Sequence, residues 1–303
     1  MGRLLGKIIV FIKAMGYVLR APLNRGHAAS ALLRVARWQL SSRLAPGDLV
    51  VPFVGDTVLI GRPSLTGMTL NVYCGLAETD EMGFALHLLR ADDLFVDVGA
   101  NVGVYSVLAS GACGARTIAC EPIGQALRDL RRNVSLNDLG ERVEIRNCAV
   151  GAAPGTVRMT DDSDTMNRVV EGAPDAGGVD VPVMTLDAIL DGQTPALIKI
   201  DVEGYEEKVL AGAKATLRAP SLRAVTLEAG PFDADGGARR RSLCASMKTF
   251  GFVPAEYDAV DRRLSPMRDV DRRGDDIIFV RDLAATQKIL SQAPRRNILK
   301  TTV

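Results

Sequence analysis

Histidine is nearly absent from this chain. Only His27 and His87 occur among 303 residues. That excludes a zinc site built on imidazole and leaves proton-transfer chemistry mainly to carboxylates, with His87 carried as the one imidazole candidate. Cysteine is sparse and unpatterned: Cys74, Cys113, Cys120, Cys148 and Cys244 form no C-x-x-C and no metal-ligand spacing. An odd count scattered through apolar runs reads as reduced, buried thiols in a cytoplasmic protein. Net charge is only +1, so no overall field favours nucleic acid as a partner. Internal repeats and low-complexity tracts are also missing.

Acid is missing from the first 47 residues. Before Asp48 the chain holds Arg3, Lys7, Lys13, Arg20, Arg25, Arg34, Arg37 and Arg43 and not one Asp or Glu. Leu4, Leu5, Ile8, Ile9, Phe11, Ile12, Met15, Val18 and Leu19 recur among them at helical spacing. The charges recur too often for a spanning helix, which needs about 18 or more apolar residues. The short IIVFI run makes a poor signal peptide. Two readings stay open for residues 1–47. They form a helical arm packed on the body or in a homodimer, or a basic amphipathic segment resting on an anionic membrane surface. Localisation is expected to be cytoplasmic, with the inner membrane face as the peripheral option.

What is present concentrates at residues 93–103, DLFVDVGANVG. An apolar run ends in Asp97, a glycine turn follows, and a helical pattern begins. Gly99 and Gly103 can take φ values that other residues reach only with strain, and a helix N-terminus offers free N–H groups. Such a turn after a buried parallel strand is where open α/β sheets bind cofactors. The spacing is not the G-x-G-x-x-G of dinucleotide sites, because Asn101 stands where the second glycine would be. A second strand, 116–120, ends at Glu121, where an acid can accept both hydroxyls of an adenosine ribose. S-adenosylmethionine (SAM) has that ribose, no phosphate and a charged amino-acid end, so it is favoured over NAD.

From residue 93 onward strands and helices alternate, which implies a parallel sheet. The pattern predicts strands at 93–98, 116–121, 142–148, 196–201, 222–228, 252–257 and 276–281. Helices are predicted at 102–112, 122–137 with Pro122 in first position, 204–217 and 238–250. Residues 150–184 break the rhythm with two strands around a polar loop. Upstream, 1–43 read as two helices broken near Pro22, 48–73 as short β-type runs including MTLNVY, and 78–89 as an amphipathic helix.

These motifs together resemble the FkbM-type SAM-dependent methyltransferases over about residues 70–282. The resemblance rests on Phe95-Val-Asp-Val-Gly-Ala-Asn-Val-Gly103, Glu121-Pro122, Asn133-x-x-x-Asn137 and Ile198-Lys-Ile-Asp-Val-Glu-Gly-Tyr-Glu206, in that order. The last stretch is the most specific. The resemblance implies a class I SAM methyltransferase fold: α/β, with a mostly parallel, seven-stranded, doubly wound sheet whose last-numbered strand is antiparallel. Here it would carry an N-terminal helical arm and small β extension (1–75), the methyltransferase domain (76–285) and a C-terminal tail (286–303). It also implies methylation of hydroxyls on polyketides or on sugars of glycolipids and surface glycans.

Carried over by position, Gly99, Ala100, Asn101 and Gly103 would line the methionine end of SAM. Glu121, with Pro122 beside it, would hold the ribose, and Cys148, Ala149 and Val150 would face the adenine. Asp97 either reaches the cofactor through water or ties down the glycine turn. Lys199, Asp201 and Glu203 would share one face if the fourth strand runs on. They form either a structural ion pair or a functional cluster, to which Glu228 would add a further carboxylate. An alcohol acceptor must lose its proton, and Asp201, Glu203, Glu228 and His87 are the candidate bases. Asp201, Glu203 and Glu228 could also hold Mg2+, but no second feature supports it and no metal is expected. Residues 160–167 read as an acceptor-side lid or as a solvated loop. An NAD-dependent Rossmann oxidoreductase and a non-catalytic partner-binding module on the same fold are the alternative functions.

Overall fold

The computed structural model describes residues 14–45, 47–63, 65–160, 169, 178–230, 237–270 and 276–303. Its centre is β3 (Leu94–Val98), following a hairpin of β1 (Leu49–Pro52) and β2 (Val58–Gly61). All five β3 residues are buried, as an apolar run must be when helices cover both faces of a parallel sheet. β4 (Arg116–Cys120) and β5 (Val143–Arg146) lie to one side of β3, each parallel to its neighbour. A separate three-stranded sheet follows, made of β6 (Ala149–Val150), β7 (Gly155–Met159) and β8 (Val179–Met184). The chain then crosses to the far side of β3. There it lays down β9 (Leu197–Ile200) and β10 (Ala224–Glu228), both parallel. Next come β11 (Val253–Asp258), β12 (Arg263–Pro266) and β13 (Asp276–Val280).

The main sheet order is β12-β11-β13-β10-β9-β3-β4-β5, with β13 antiparallel to both its neighbours. This is the class I SAM methyltransferase arrangement. The seven expected strands are present, and β12 adds an eighth on the edge, antiparallel to β11. Strand order reverses between β3 and β9. That crevice is where an open α/β sheet binds its ligand.

Several expectations are corrected. MTLNVY is not a strand: Thr66–Cys74 is a helix, with Met68, Tyr73 and Cys74 buried beneath Val35 and Trp38 of the helix Ala28–Leu44. Its apolar residues fit a helical stripe as well as a strand, and only the neighbouring helix decides between them. Pro122 does not open a helix. Glu121 accepts the Ile123 N–H, and the helix starts at Gly124. The helix expected over 204–217 is two, Glu206–Ala211 and Lys214–Arg218. They break at Gly212, where a Cβ would overlap the Gly151 carbonyl oxygen.

Residues 14–44 of the N-terminal segment pack on the body. Residues 14–20 are helical, Val18 is buried, and Asn24 Nδ2 donates to the carbonyls of Val18 (2.7 Å) and Tyr73 (3.1 Å). Beyond β13 lie a helix, Leu283–Ser291, capped by Asp282, and the hairpin β14 (Asn297–Ile298) with β15 (Thr301–Thr302). Ile298 and Val303 are buried in the core.

Candidate active site

A cavity of about 800 Å3 opens at the carboxyl ends of β3, β4, β9 and β10. At its floor Asp97 is fully buried and accepts the Ser106 hydroxyl at 2.7 Å. Its acceptor role therefore tethers the helix after the turn rather than the turn itself. Burial pushes its carboxyl up to about 6, against the pull of Lys199. Gly99, at φ +83°, passes so close to the loop after β9 that a Cβ would overlap the Asp201 carbonyl oxygen. Gly103, at φ +85°, sits where a Cβ would meet the tip of Leu130. Both glycines thus permit chain to pass chain.

Asn101 adopts φ +49° and donates its backbone N–H to Glu121 Oε2 (2.8 Å), while Ile123 N–H donates to Oε1 (2.8 Å). A carboxylate has about four acceptor sites, so two N–H bonds fix Glu121 and leave capacity for ribose hydroxyls. Burial raises it to about 7 despite these bonds. Pro122, Ile123, Ala126, Cys148, Ala149 and Val150 continue the same wall as an apolar slot suited to a flat base. Asn133 and Asn137 brace the turn from behind. Asn133 donates to the Val102 carbonyl and accepts from Ile60 N–H, while Asn137 accepts from Val58 N–H, all at 2.8 Å.

The β9 strand ends at Ile200, so Lys199, Asp201 and Glu203 are not one strand face. Lys199 is buried, pairs with Asp201, and lies 4.8 Å from the centre of the Tyr105 ring. Burial opposes its charge, yet Asp201 and nearby Glu78, Asp276 and Asp97 hold it above the ordinary lysine value. Glu203 is held at φ +51° by a turn tied through Glu206, which accepts the Val202 and Gly204 N–H groups and pairs with Arg239. Oxygens of Asp201, Glu203 and Glu228 all lie within 4.8 Å of one another, close enough to hold a cation. Glu228 Oε2 is buried with no hydrogen-bond partner. Burial, with Asp201, Glu203 and Asp276 adding, raises Glu228 to about 8.

His87 is not part of this site. It is fully buried, its Nδ1 lies 2.7 Å from the Tyr257 hydroxyl, and it does not line the cavity. Burial, with Arg262, Arg296 and Arg90, pushes it down to about 3. The lid expected at 160–167 lies outside the described residues except for Thr160.

The FkbM methyltransferase domain model matches residues 97–265, more than half of the chain. The chain belongs to the FkbM methyltransferase family. Its cofactor is S-adenosylmethionine. Among solved structures, the FkbM methyltransferase from Methylobacillus flagellatus is similar at 17% identity and TM-score 0.46. That match covers 83% of this chain and 60% of the other, so this chain spans about three fifths of that protein's length. A precorrin-6y C5,15-methyltransferase from Geobacter metallireducens is similar at 16% identity and TM-score 0.37, over 68% of this chain and 87% of that one. A Streptococcus mutans protein solved in complex with SAH follows at 10% identity and TM-score 0.39, over 66% and 94%. No curated protein matches the chain.

In this FkbM-family chain three cavity residues escaped the sequence reading. Tyr105 donates its hydroxyl to Glu78 Oε2 at 2.6 Å. Asp276 lies directly opposite Glu228 across the antiparallel β10–β13 pair, and burial pushes it up to about 8. Glu78 precedes the helix Thr79–Leu88 and Asp276 opens β13, so only the assembled sheet brings them together. The Glu at the end of TLE and the Asp before IIFV are the only local signals. Among the described lining residues, nine carboxylates (Glu78, Asp80, Glu81, Asp97, Glu121, Asp201, Glu203, Glu228 and Asp276) face two cations, Lys199 and Arg20. A sulfonium with an ammonium group complements such a wall, and a pyrophosphate does not.

Proposed function

We propose that this protein is a SAM-dependent O-methyltransferase acting on a hydroxyl of a sugar, a glycolipid or surface glycan, or a polyketide-like acceptor. The observation that carries this reading is the Asp201–Glu203–Glu228 carboxylate cluster, which opens into the same cavity as the glycine turn and Glu121. Bound SAM supplies an electrophilic methyl group on a sulfonium. Glu121 accepts from the ribose and the apolar slot at Ile123 and Ala149 receives the adenine. An acceptor hydroxyl held over the cluster must lose a proton as the new bond forms. Glu228 is placed for this role: one of its buried oxygens has no partner, and although burial holds its carboxyl up to about 8, a cationic sulfonium beside it would favour the charged form that can take the proton. Asp201, paired with Lys199, steadies the cluster's charge. Alignment of the acceptor within a cavity of this size supplies much of the remaining rate. The dinucleotide alternative loses support at Asn101, whose N–H is already committed to Glu121.

The test is methyl transfer from isotopically labelled SAM to a panel of sugar nucleotides, glycolipids and macrolides, with products read by mass spectrometry. An oxygen-linked methyl is expected. Glu228→Gln should lower turnover by roughly 10²-fold or more, the usual contribution of a positioned base, with SAM affinity within a few-fold. Glu203→Gln and Asp201→Asn should have smaller effects. Tight SAM binding with no transfer to any hydroxyl acceptor would favour the binding-module reading. Reduction of a nicotinamide cofactor would overturn the methyltransferase reading.

A further inference from the structure

The helix Ala28–Leu44 is apolar on both sides. At about 3.6 residues per turn, Ala31, Val35 and Trp38 fall on one side and are buried in the core. Leu33, Leu40 and Leu44 fall on the opposite side, spaced i, i+7 and i+11, and are 50%, 60% and 74% exposed. Leu32, between the two sides, is 45% exposed. A surface helix ordinarily turns polar side chains to water. Here the outward stripe is leucine, flanked by exposed Arg37 and Arg43. The first acid, Asp48, is already held by Arg132 at 2.6 Å and Arg62 at 3.2 Å, so it does not neutralise this face.

The preceding segment extends the same character. Tyr17 and Leu19 are 49% and 37% exposed, and Arg20 is exposed beside them. The two stretches are tied together, since Asn24 holds Val18 on one side and receives the Arg34 guanidinium on the other. Tyr17, Arg20, Ala21 and Pro22 also line the cavity. The segment that carries the leucine helix thus begins at the rim of the candidate active site.

We infer that the surface formed by residues 17–44 docks on an anionic lipid bilayer and turns the cavity rim toward it. Charge complementarity selects this occupant. Exposed leucines flanked by arginines, with no acid among them, match a hydrocarbon boundary under anionic headgroups. A second copy of the chain fits poorly, because a two-fold interface must be self-complementary and the charges flanking this face, Arg37 and Arg43, are both positive and would meet only like charge. No helix among the described residues is long and apolar enough to cross the membrane, and the proposed contact is a peripheral one. The docking stands whatever the acceptor is. Only its corollary, that a lipid-linked acceptor enters from the bilayer, rests on the proposed methyl transfer.

The test is co-sedimentation of the full chain with vesicles of equal parts phosphatidylglycerol and phosphatidylcholine, against phosphatidylcholine alone. Binding is expected to the anionic vesicles only and to fade at high salt. Two variants at exposed positions, Leu33→Ser/Leu40→Ser/Leu44→Ser and Arg37→Glu/Arg43→Glu, should each weaken it by about tenfold or more. SAM affinity measured by calorimetry should stay unchanged in both and so report intact folding. Absence of binding, equal binding to neutral vesicles, or indifference to both variants would overturn the proposal. So would light scattering that shows a wild-type dimer converted to monomer by the leucine variant, which would make this face a seam between copies.

Discussion

At the scale of single residues, the carboxylates of the site differ by how their oxygens are occupied. Glu121 has each oxygen fixed by a backbone N–H, so it is aimed before any ligand arrives. Glu228 has a buried oxygen with no partner and a carboxyl raised to about 8, so in the ligand-free protein it holds a proton that a bound cation would help release. Glu121→Ala should therefore weaken SAM binding by about 1–3 kcal/mol, the range for a hydrogen bond to a charged group. Isothermal titration calorimetry checks this, and unchanged affinity would remove the ribose assignment. His87 makes the opposite case. An imidazole so depleted of water, against the Tyr257 hydroxyl, stays neutral and serves packing.

At the scale of elements, the glycine turn and the loop after β9 form one unit. Gly99 lets the Asp201 carbonyl approach, Asn133 holds the far end of the turn, and Glu206 pins the loop that carries Glu203. Gly99→Ala meets two obstacles at once, a left-handed φ and a backbone oxygen that cannot move aside. It should cost on the order of 3 kcal/mol. Gly103→Ala faces the same φ but only a leucine tip, and should cost about 1–2 kcal/mol. Urea unfolding of the two variants provides the comparison, and equal losses would show that the close approach at Gly99 carries no weight. The motif D-V-G-A-N-V-G was legible as a cofactor turn from sequence. That its first glycine answers to Asp201, a hundred residues on, was not, because contacts across a parallel crossover leave no local pattern.

At the scale of the whole molecule, the cavity gathers carboxylates whose protons cannot all leave. Burial raises Glu81 and Glu121 to about 7 and Glu228 and Asp276 to about 8. Each binds more proton folded than unfolded between its ordinary pKa and its raised one, so stability falls as pH rises through that window. His87 works the other way, but only between about 3 and its ordinary 6.5, where the unfolded chain takes up the proton. Above pH 6.5 His87 no longer contributes. The melting temperature of the SAM-free protein should therefore drop between about pH 6.5 and 8, and Glu228→Gln/Asp276→Asn should flatten the slope. Calorimetric melts across that range would decide it, and a rise with pH would contradict the raised carboxyls.

The sequence by itself determined the α/β class and the succession of strands along the chain, and the family resemblance its class I sheet. Buried strands in a parallel sheet are continuous apolar runs such as LFVDV and LIKI, and glycine turns punctuate them where helices begin. It also located Glu121, Asp201 and Glu228 at the ends of such runs, and Glu203 in the turn just beyond one. Tertiary structure alone decided that MTLNVY is helical, that β12 adds an eighth strand and that His87 is core. It likewise brought Asp276, Glu78 and Tyr105 to the same cavity. The reason is physical: periodicity records which side of an element is buried, but not what buries it. A pair such as Glu228 and Asp276 exists only once β13 returns antiparallel beside β10 and sets the two carboxyls face to face.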